Sequence, residues 1–549
     1  MKKKLARGFA VTLCATMLLS ALSGCTPKEV ETATNTASIP AEPFGVYEEP
    51  ITLTVAQRNF GDAIPTGEDS PWIQKYKEYG INIDIEWSAD ASQFDNKLNT
   101  AIASGDIPDF FQVSDAEKIS NLVRADMVAD LTEAFEKYAS PLVKERFATE
   151  AGKAALEAAT FDGKLYFIPI NITESLNNMD LLYIRQDWVE NLNMELPETL
   201  DDLKEIALAF TKNDPDGNGS DDTYGLAIPG KDGLNSAFFT GLGIYPGMWH
   251  DGMLFYSEDE NGNVVWDGEK PEMKEGLQFL QDLYAEGAIA RDFATYDGGM
   301  AFEDLNGGKA GICIGARGYP AWAIHNTYVN NPEAKWYAMK MPSKDGTETM
   351  LAGFQPMNAG YAVSKECANP EAVIKMLNIV TEMSTPETEL FDAFYLPANR
   401  TESGDAYLVP IDDPQEERKS TQAICNAVAN EDASELSEAY KPVYDNVLKF
   451  VADGDPAAWS DWNRFYPASG HAYYVIYEMN KDTEITDNLW QYLPTNTMIP
   501  KLAVWKNTVD EAFVRIVSGA SVDEWDSVLE SWATLGGDQI KQEVEDSIK

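Results

Sequence analysis

The sequence predicts an α/β protein of two lobes joined by a hinge, with a helical C-terminal part. Three observations predict it. Strands with period-two alternation are interleaved with capped helical segments from residue 51 onward. About 500 residues follow residue 50, more than a single hydrophobic core organises. After residue 370 the pattern becomes mostly helical.

The elements follow in order. Ile51-Thr52-Leu53-Thr54-Val55 and Ile81-Asn82-Ile83-Asp84-Ile85-Glu86-Trp87 alternate apolar and polar residues and read as strands. Between them, Ser70 caps a helix with Pro71 at its first position, and Gly80 closes the segment Trp72 to Tyr79. Ser92 to Ser104 reads as a second helix, with Phe94, Leu98, Ala101 and Ile102 on one face, and Pro108 to Val113 as the next strand. This alternation predicts a parallel or mixed sheet covered by helices. Residues 162–171 are extended and interrupted by Pro169, which suits an edge strand or a hinge crossing. Leu181 to Arg185 is a strand, and Thr199-Leu200-Asp201-Asp202 is a capping box for a helix through Leu203, Ile206, Ala207 and Phe210. Pro271 to Glu286 carries Met273, Leu277, Leu280 and Leu283 at helical spacing. Pro370–Val380, Ser434–Ala452, Lys506–Ser518 and Val522–Trp532 complete the helical readings. The expected organisation places the first part of lobe 1 at 51–168 and lobe 2 mainly at 169–345. Residues 346–549 return to lobe 1 and supply helices shared between the lobes.

The first 24 residues read as an address label. Lys2, Lys3, Lys4 and Arg7 precede an apolar stretch ending in Leu22-Ser23-Gly24-Cys25, the layout of a secretory signal and not of a membrane span. The ending looks like a bacterial lipobox, in which Cys25 is acylated and becomes the first residue; the alternative is a secreted protein with an incidental cysteine. Two or more acyl chains give stable anchoring, at ~0.8 kcal/mol per buried methylene. Residues 25–50, rich in Thr, Ala, Glu and Pro, read as a disordered tether. Without the four basic residues of the leader, 38 Lys and Arg face 90 Asp and Glu, a formal charge of −52. Such a surface disfavours nucleic acid and anionic lipid headgroups. Cys313, Cys367 and Cys425 are an odd number for a disulfide framework, and Cys313 within Ala310–Ile314 reads as a buried small hydrophobe.

One segment has specific chemistry. Asp214, Asp216 and Asn218 fall at positions 1, 3 and 5 of an EF-hand-like loop, with Gly219 at position 6, the Ser220 carbonyl at 7 and Asp222 at 9. Ca²⁺ takes six to eight oxygens, so alternate side chains must converge while the backbone wraps the ion. Position 12 is Gly225 and not a bidentate Glu, which points to a fixed structural site. Nothing points as clearly to catalysis. His250, His325 and His471 have no metal-ligand spacing, and neither H-E-x-x-H nor G-x-S-x-G occurs. Aromatics in polar loops are the remaining signal: 241–251 around Trp249, 315–322 around Arg317 and Trp322, and 459–466 around Trp462 and Arg464. Sugar rings need such a mixture, an aromatic surface for the C–H face and polar groups for the hydroxyls.

Several stretches together resemble the lipoprotein-type extracellular solute-binding proteins, family 1, of bacterial ABC sugar importers, notably the large members with an inserted calcium loop. They are Tyr183–Trp188 with Leu196–Leu203, Asn213–Gly219 with Asp222–Gly225, Lys274–Leu277 with Leu283–Gly287, and Trp532–Asp538. The resemblance implies a type II periplasmic-binding-protein-like fold of two α/β lobes, an extracellular, membrane-anchored and non-enzymatic protein, and delivery of a mono- or oligosaccharide to ABC permease subunits by a monomeric receptor. It also implies calcium ligands at Asp214, Asp216, Asn218, the Ser220 carbonyl and Asp222; some relatives place an acidic residue where Thr223 stands. Loops beside strand ends nominate Asn59 and Asp115 from the first lobe, Asn171 at the hinge, Trp249, Arg317 and Trp322 from the second lobe, and Trp462 and Arg464 from the C-terminal part. A surface enzyme acting on glycans and a binding module for peptides or other solutes are the alternatives.

Overall fold

The computed structural model describes residues 39–59, 70–113, 116–170, 172, 174–247, 254–353, 359–385, 388, 411, 413–490, 495 and 497–548. Cys25, Asp115, Asn171 and Trp249 lie outside them.

Nine strands build the two main sheets: β1 (Ile51–Asn59), β2 (Ile81–Asp90), β3 (Phe110–Val113), β4 (Phe167–Pro169), β5 (Asp180–Arg185), β6 (Tyr224–Ala227), β7 (Ala310–Ala316), β8 (Trp336–Met339) and β9 (Gly360–Val363). The first sheet has the order β2-β1-β3-β9-β4, and the second β8-β5-β7-β6. β1 runs parallel to β2 and β3, whereas β9 is antiparallel to β3 and β4, so the first sheet is mixed. Pro169 ends the edge strand β4, where a missing N–H disturbs no ladder.

Local chemistry places the helices. The Ser70 hydroxyl accepts the Ile73 N–H at the start of Pro71–Glu78, and Gly105 in the left-handed region ends Ala91–Ser104. Thr199 and Asp202 form the reciprocal capping box of Leu200–Lys212. The helix expected over 434–452 instead spans Lys441–Asp453, with Pro442 in its first turn.

The second sheet is buried on both faces, which explains the unbroken apolar run of β5. Leu182 and Ile184 enter one core, and Leu181 and Tyr183 the other. The helices Leu200–Lys212, Glu272–Ala285, Ile499–Val517 and Glu524–Leu535 contribute to the first; Glu416–Asn430, Lys441–Asp453 and Trp459–Phe465 contribute to the second. The apolar faces of the C-terminal helices from 424 onward join the two cores of the second sheet. Residues 359–383 return to the first core, where almost the whole helix Pro370–Ser384 is buried.

The tether reading is corrected for its last residues. Tyr47 is buried; its N–H donates to the Tyr79 carbonyl at 3.0 Å and its hydroxyl to Glu371 at 2.8 Å. Lys375 donates to the Glu42 carbonyl, and Asn378 to that of Pro43 at 3.2 Å. Buried polar groups of the helix need partners, and the segment's backbone supplies them. Cys313, Cys367 and Cys425 are buried and unpaired. Among the described residues no helix is long and apolar enough to cross a membrane.

Candidate functional site: a cleft at the strand ends of the second sheet

β6 and β7 are parallel and β5 is antiparallel to β7, so Ala227, Ala316 and Asp180 come together at one sheet edge. Beyond that edge lies a cavity of about 700 Å³, lined by these residues, the loop after Pro229, the start of Gly298–Asn306 and the segment ending in Trp322. Ligands of open α/β sheets bind at such strand ends.

Its aromatic wall is built in layers. Tyr319 stacks on Tyr183 at 5.7 Å between ring centres, and Trp322 meets Tyr319 at 4.8 Å and Phe302 at 5.2 Å edge to face. Trp322 is still 57% exposed. A tryptophan braced from behind and open in front is a preformed platform for an apolar ligand face. Gly315 makes the stack possible, since a Cβ there would lie 1.9 Å from the Tyr319 ring.

The polar wall is acidic. Burial pushes the Asp180 carboxyl up to about 6, with Arg317 pulling it back. Asp232 accepts the Gly298 N–H at 2.7 Å, and Asp297 caps the same helix while pairing with Lys231 at 2.8 Å. That pairing lowers the Asp297 pKa and raises that of Lys231. A buried carboxylate holds the adjoining loop: Asp267 accepts the Tyr245 N–H at 2.8 Å and pairs with Lys270 at 2.8 Å.

Of the nominated residues, Trp322 lines this cavity. Arg317 does not; it forms a bidentate pair with Glu417, also donates to the Asn177 carbonyl, and ties β7 to the crossing segment. A largely desolvated guanidinium needs such acceptors, which turns it from the cleft to the core. Trp462 packs on Phe450 and His471, and Arg464 pairs with Asp461 at 2.5 Å, both on a helix that joins the second sheet's core. Neither lines the cavity. Asn59 ends β1 in register with Asp90, and its side chain lies outside the description. Asp180 and Tyr319 were missed by sequence reasoning. Tyr319 stands in the segment that nominated Trp322, whereas Asp180 gains its position only from the antiparallel direction of β5.

His471 belongs to the core. Its Nδ1 is 3.0 Å from the Trp462 carbonyl, and burial lowers its pKa to about 4 from 6.5. Between these values the unfolded state holds the extra proton, so this residue's contribution is complete above pH 6.5 and is lost as pH falls toward 4. Wild type is expected to lose about 3 kcal/mol more than His471→Gln between pH 6.5 and 4, measured by urea unfolding.

The EF-hand-like loop joins the helix Leu200–Lys212 to β6, at the end of that strand away from the cavity. Asp214, Gly217 and Gly219 adopt positive φ. Asp214 Oδ2 accepts the Gly219 N–H at 3.0 Å, and the Asn218 amide donates to Asp216 at 2.8 Å and Asp222 at 3.2 Å. The amide nitrogen thus bridges two carboxylates, as a cation would. Asp214 Oδ1 is buried without a partner, and its neighbours leave Asp216 with a raised pKa through burial and the charges of Asp222 and Asp214. This oxygen-rich donor set fits Ca²⁺. Among the described residues, no three His, Cys, Asp or Glu side chains are already gathered closely enough to hold a metal ion. Thr223 is buried with its hydroxyl donated to the Phe210 carbonyl at 2.8 Å, so it closes the helix and does not face the loop.

The fold recurs in solved structures. An HMO binding ABC-transporter associated solute-binding protein from Bifidobacterium longum infantis superposes with a TM-score of 0.62 at 20% identity, covering 91% of this chain and 98% of that one. Among curated proteins, Lipoprotein LipO of Bacillus subtilis is 32% identical over 250 residues, 45% of this chain and 47% of that protein. The polygalacturonan/rhamnogalacturonan-binding protein YtcQ of the same organism is 26% identical over 479 residues, 85% of each chain. The chain thus spans about half the length of the first of these relatives and most of the second. The model of the bacterial extracellular solute-binding protein family matches residues 64–384, more than half of the sequence, and the chain belongs to that family.

Proposed function

We propose that this chain is a lipid-anchored, non-enzymatic receptor that captures a carbohydrate between its lobes and delivers it to the permease of an ABC importer. The observation that carries the reading is Trp322, exposed on a braced aromatic wall of a cavity that Asp180, Asp232, Asp297 and Asn235 also line and that is large enough for sugar rings. Family membership supports capture without chemistry, and the polysaccharide named in the YtcQ relative supports a carbohydrate. Acylation of Cys25 would hold the receptor at the extracellular face of the membrane. The ligand favours the closed state by its extra affinity for that state, and presentation to the permease follows from this shift.

Calcium is proposed as a structural ion held by Asp214, Asp216, Asn218, the Ser220 carbonyl and Asp222. It would neutralise the crowded carboxylates and fix the start of β6, whose other end supplies Ala227 to the cavity. The experiment is a thermal-shift screen of the full chain in detergent against mono- and oligosaccharides, with calcium and with chelator. A bound sugar stabilises by about 2.7 kcal/mol at a hundred times its Kd, and calcium at the same excess does likewise. Trp322→Ala is expected to weaken sugar binding tenfold or more with little change in unligated stability, and Asp214→Ala to abolish the calcium-dependent shift. Absence of a shift with every saccharide, or unchanged affinity in Trp322→Ala, would overturn the carbohydrate reading at this cavity.

A further inference from the structure

Beside the cavity with Trp322 lies a small pocket of about 30 Å³, which Asp180, Ala237 and Tyr245 also line. It shares Ser175 and Asn178 with a second cavity of about 810 Å³, bounded on one side by the first-lobe helix Glu150–Ala158. Asp180 therefore borders both the cavity with the aromatic platform and the small pocket beside it.

The charges along this track follow one pattern. Four described cations line it, and each already has a protein carboxylate: Lys231 with Asp297 at 2.8 Å, Lys340 with Glu348 at 3.4 Å, Arg418 with Glu174 at 3.0 Å and Lys481 with Glu478 at 3.6 Å. The helix N-terminus at Gly298, where backbone N–H groups would attract an anion, is taken by Asp232 and Asp297. Asp180 adds a carboxylate that forms no ion pair among the described residues: nearby Arg317 is held by Glu417, and Lys340, which lines the same small pocket, by Glu348. A ligand carboxylate entering here finds each described cation paired and meets like charge instead.

We infer that this cleft selects uncharged glycans over carboxylated ones, and that Asp180 enforces the choice. The inference rests on the carbohydrate reading and names the substrate class within it. Two carboxylates about 5 Å apart in a partly buried site repel, and the easiest relief is a proton on one of them, so the acid binds about tenfold more weakly at neutral pH.

The test is isothermal titration of the full chain, in detergent and with calcium, using three matched probes. They are the neutral oligosaccharide that binds most tightly in a panel of hexose oligomers, the same oligomer oxidised at C6 to the uronate, and the methyl ester of that uronate. The uronate is expected to bind about tenfold more weakly than the neutral oligomer at neutral pH, with the ester recovering most of the loss. Asp180→Asn should close most of the gap between the uronate and the neutral oligomer. Asp180→Ser serves the same purpose if the amide variant folds poorly. A uronate that binds as tightly as the neutral oligomer overturns the inference, as does an ester as weak as the acid, since bulk and not charge would then be responsible. A gap unchanged in both variants removes Asp180 from the role. Failure of neutral oligomers, uronate and ester alike overturns the carbohydrate reading itself.

Discussion

Adding a single methyl group at Gly315 is expected to break the aromatic wall of the cleft. The Cβ of Gly315→Ala would stand 1.9 Å from the Tyr319 ring, far inside contact distance. The ring has no costless retreat: it stacks on Tyr183 behind and supports Trp322 and Phe302 in front. Overpacking of this kind costs about 1–3 kcal/mol. Because the displaced group carries the platform, affinity for the sugar found in the screen should fall ten- to a hundredfold, read by titration. Gly311→Ala is the contrast. Its Cβ would lie 2.4 Å from Phe210 and 2.6 Å from Trp188, in the core behind the sheet. It should lower the urea midpoint by a comparable amount and leave the affinity of the folded protein unchanged. Equal affinity loss in both variants would show that the wall is not specifically involved.

Arg185→Met is expected to cost about 3–5 kcal/mol of unfolding free energy. Arg185 is 1% exposed, donates to Asp187 at 2.8 and 2.6 Å, and lies 4.6 Å over the Trp188 ring. Removing it strands Asp187 in a poorly solvated position, with the Lys335 N–H at 3.1 Å as its remaining partner among the described residues. The double variant Arg185→Met with Asp187→Leu should recover a large part of the loss, because replacing both ions by apolar groups removes the unpaired charge. A double-mutant cycle by urea unfolding gives the coupling, and additive losses would mean the pair does not act as a unit.

The helices that start at Pro71 and Leu200, the strands β1 and β2, and the 214–222 loop were all legible in the sequence. Each rests on interactions spanning only a few residues: a hydroxyl accepting an N–H three positions on, alternation along a strand, or Asp and Asn spaced around tight glycine turns. The cleft was legible only in part. Trp322, Trp462, Arg317 and Arg464 look alike as aromatic or basic residues in polar segments, and Trp322 is the one that lines the cavity. Glu417, which claims Arg317, is a hundred residues away, and the Phe450–Trp462–His471 cluster forms only when separate helices meet over the second sheet.

By itself, then, the sequence determined the alternating α/β class, the capped elements, the oxygen-rich loop and the resemblance to solute-binding proteins, because these depend on local hydrogen bonding and spacing. The tertiary structure alone decided which tryptophan stays open, that Asp180 lines the cavity beside it, that residues 39–50 pack against the first lobe, and that the last helices cover the second sheet. Burial and ion pairing are properties of the neighbours a residue acquires, and most of those neighbours are distant in the chain.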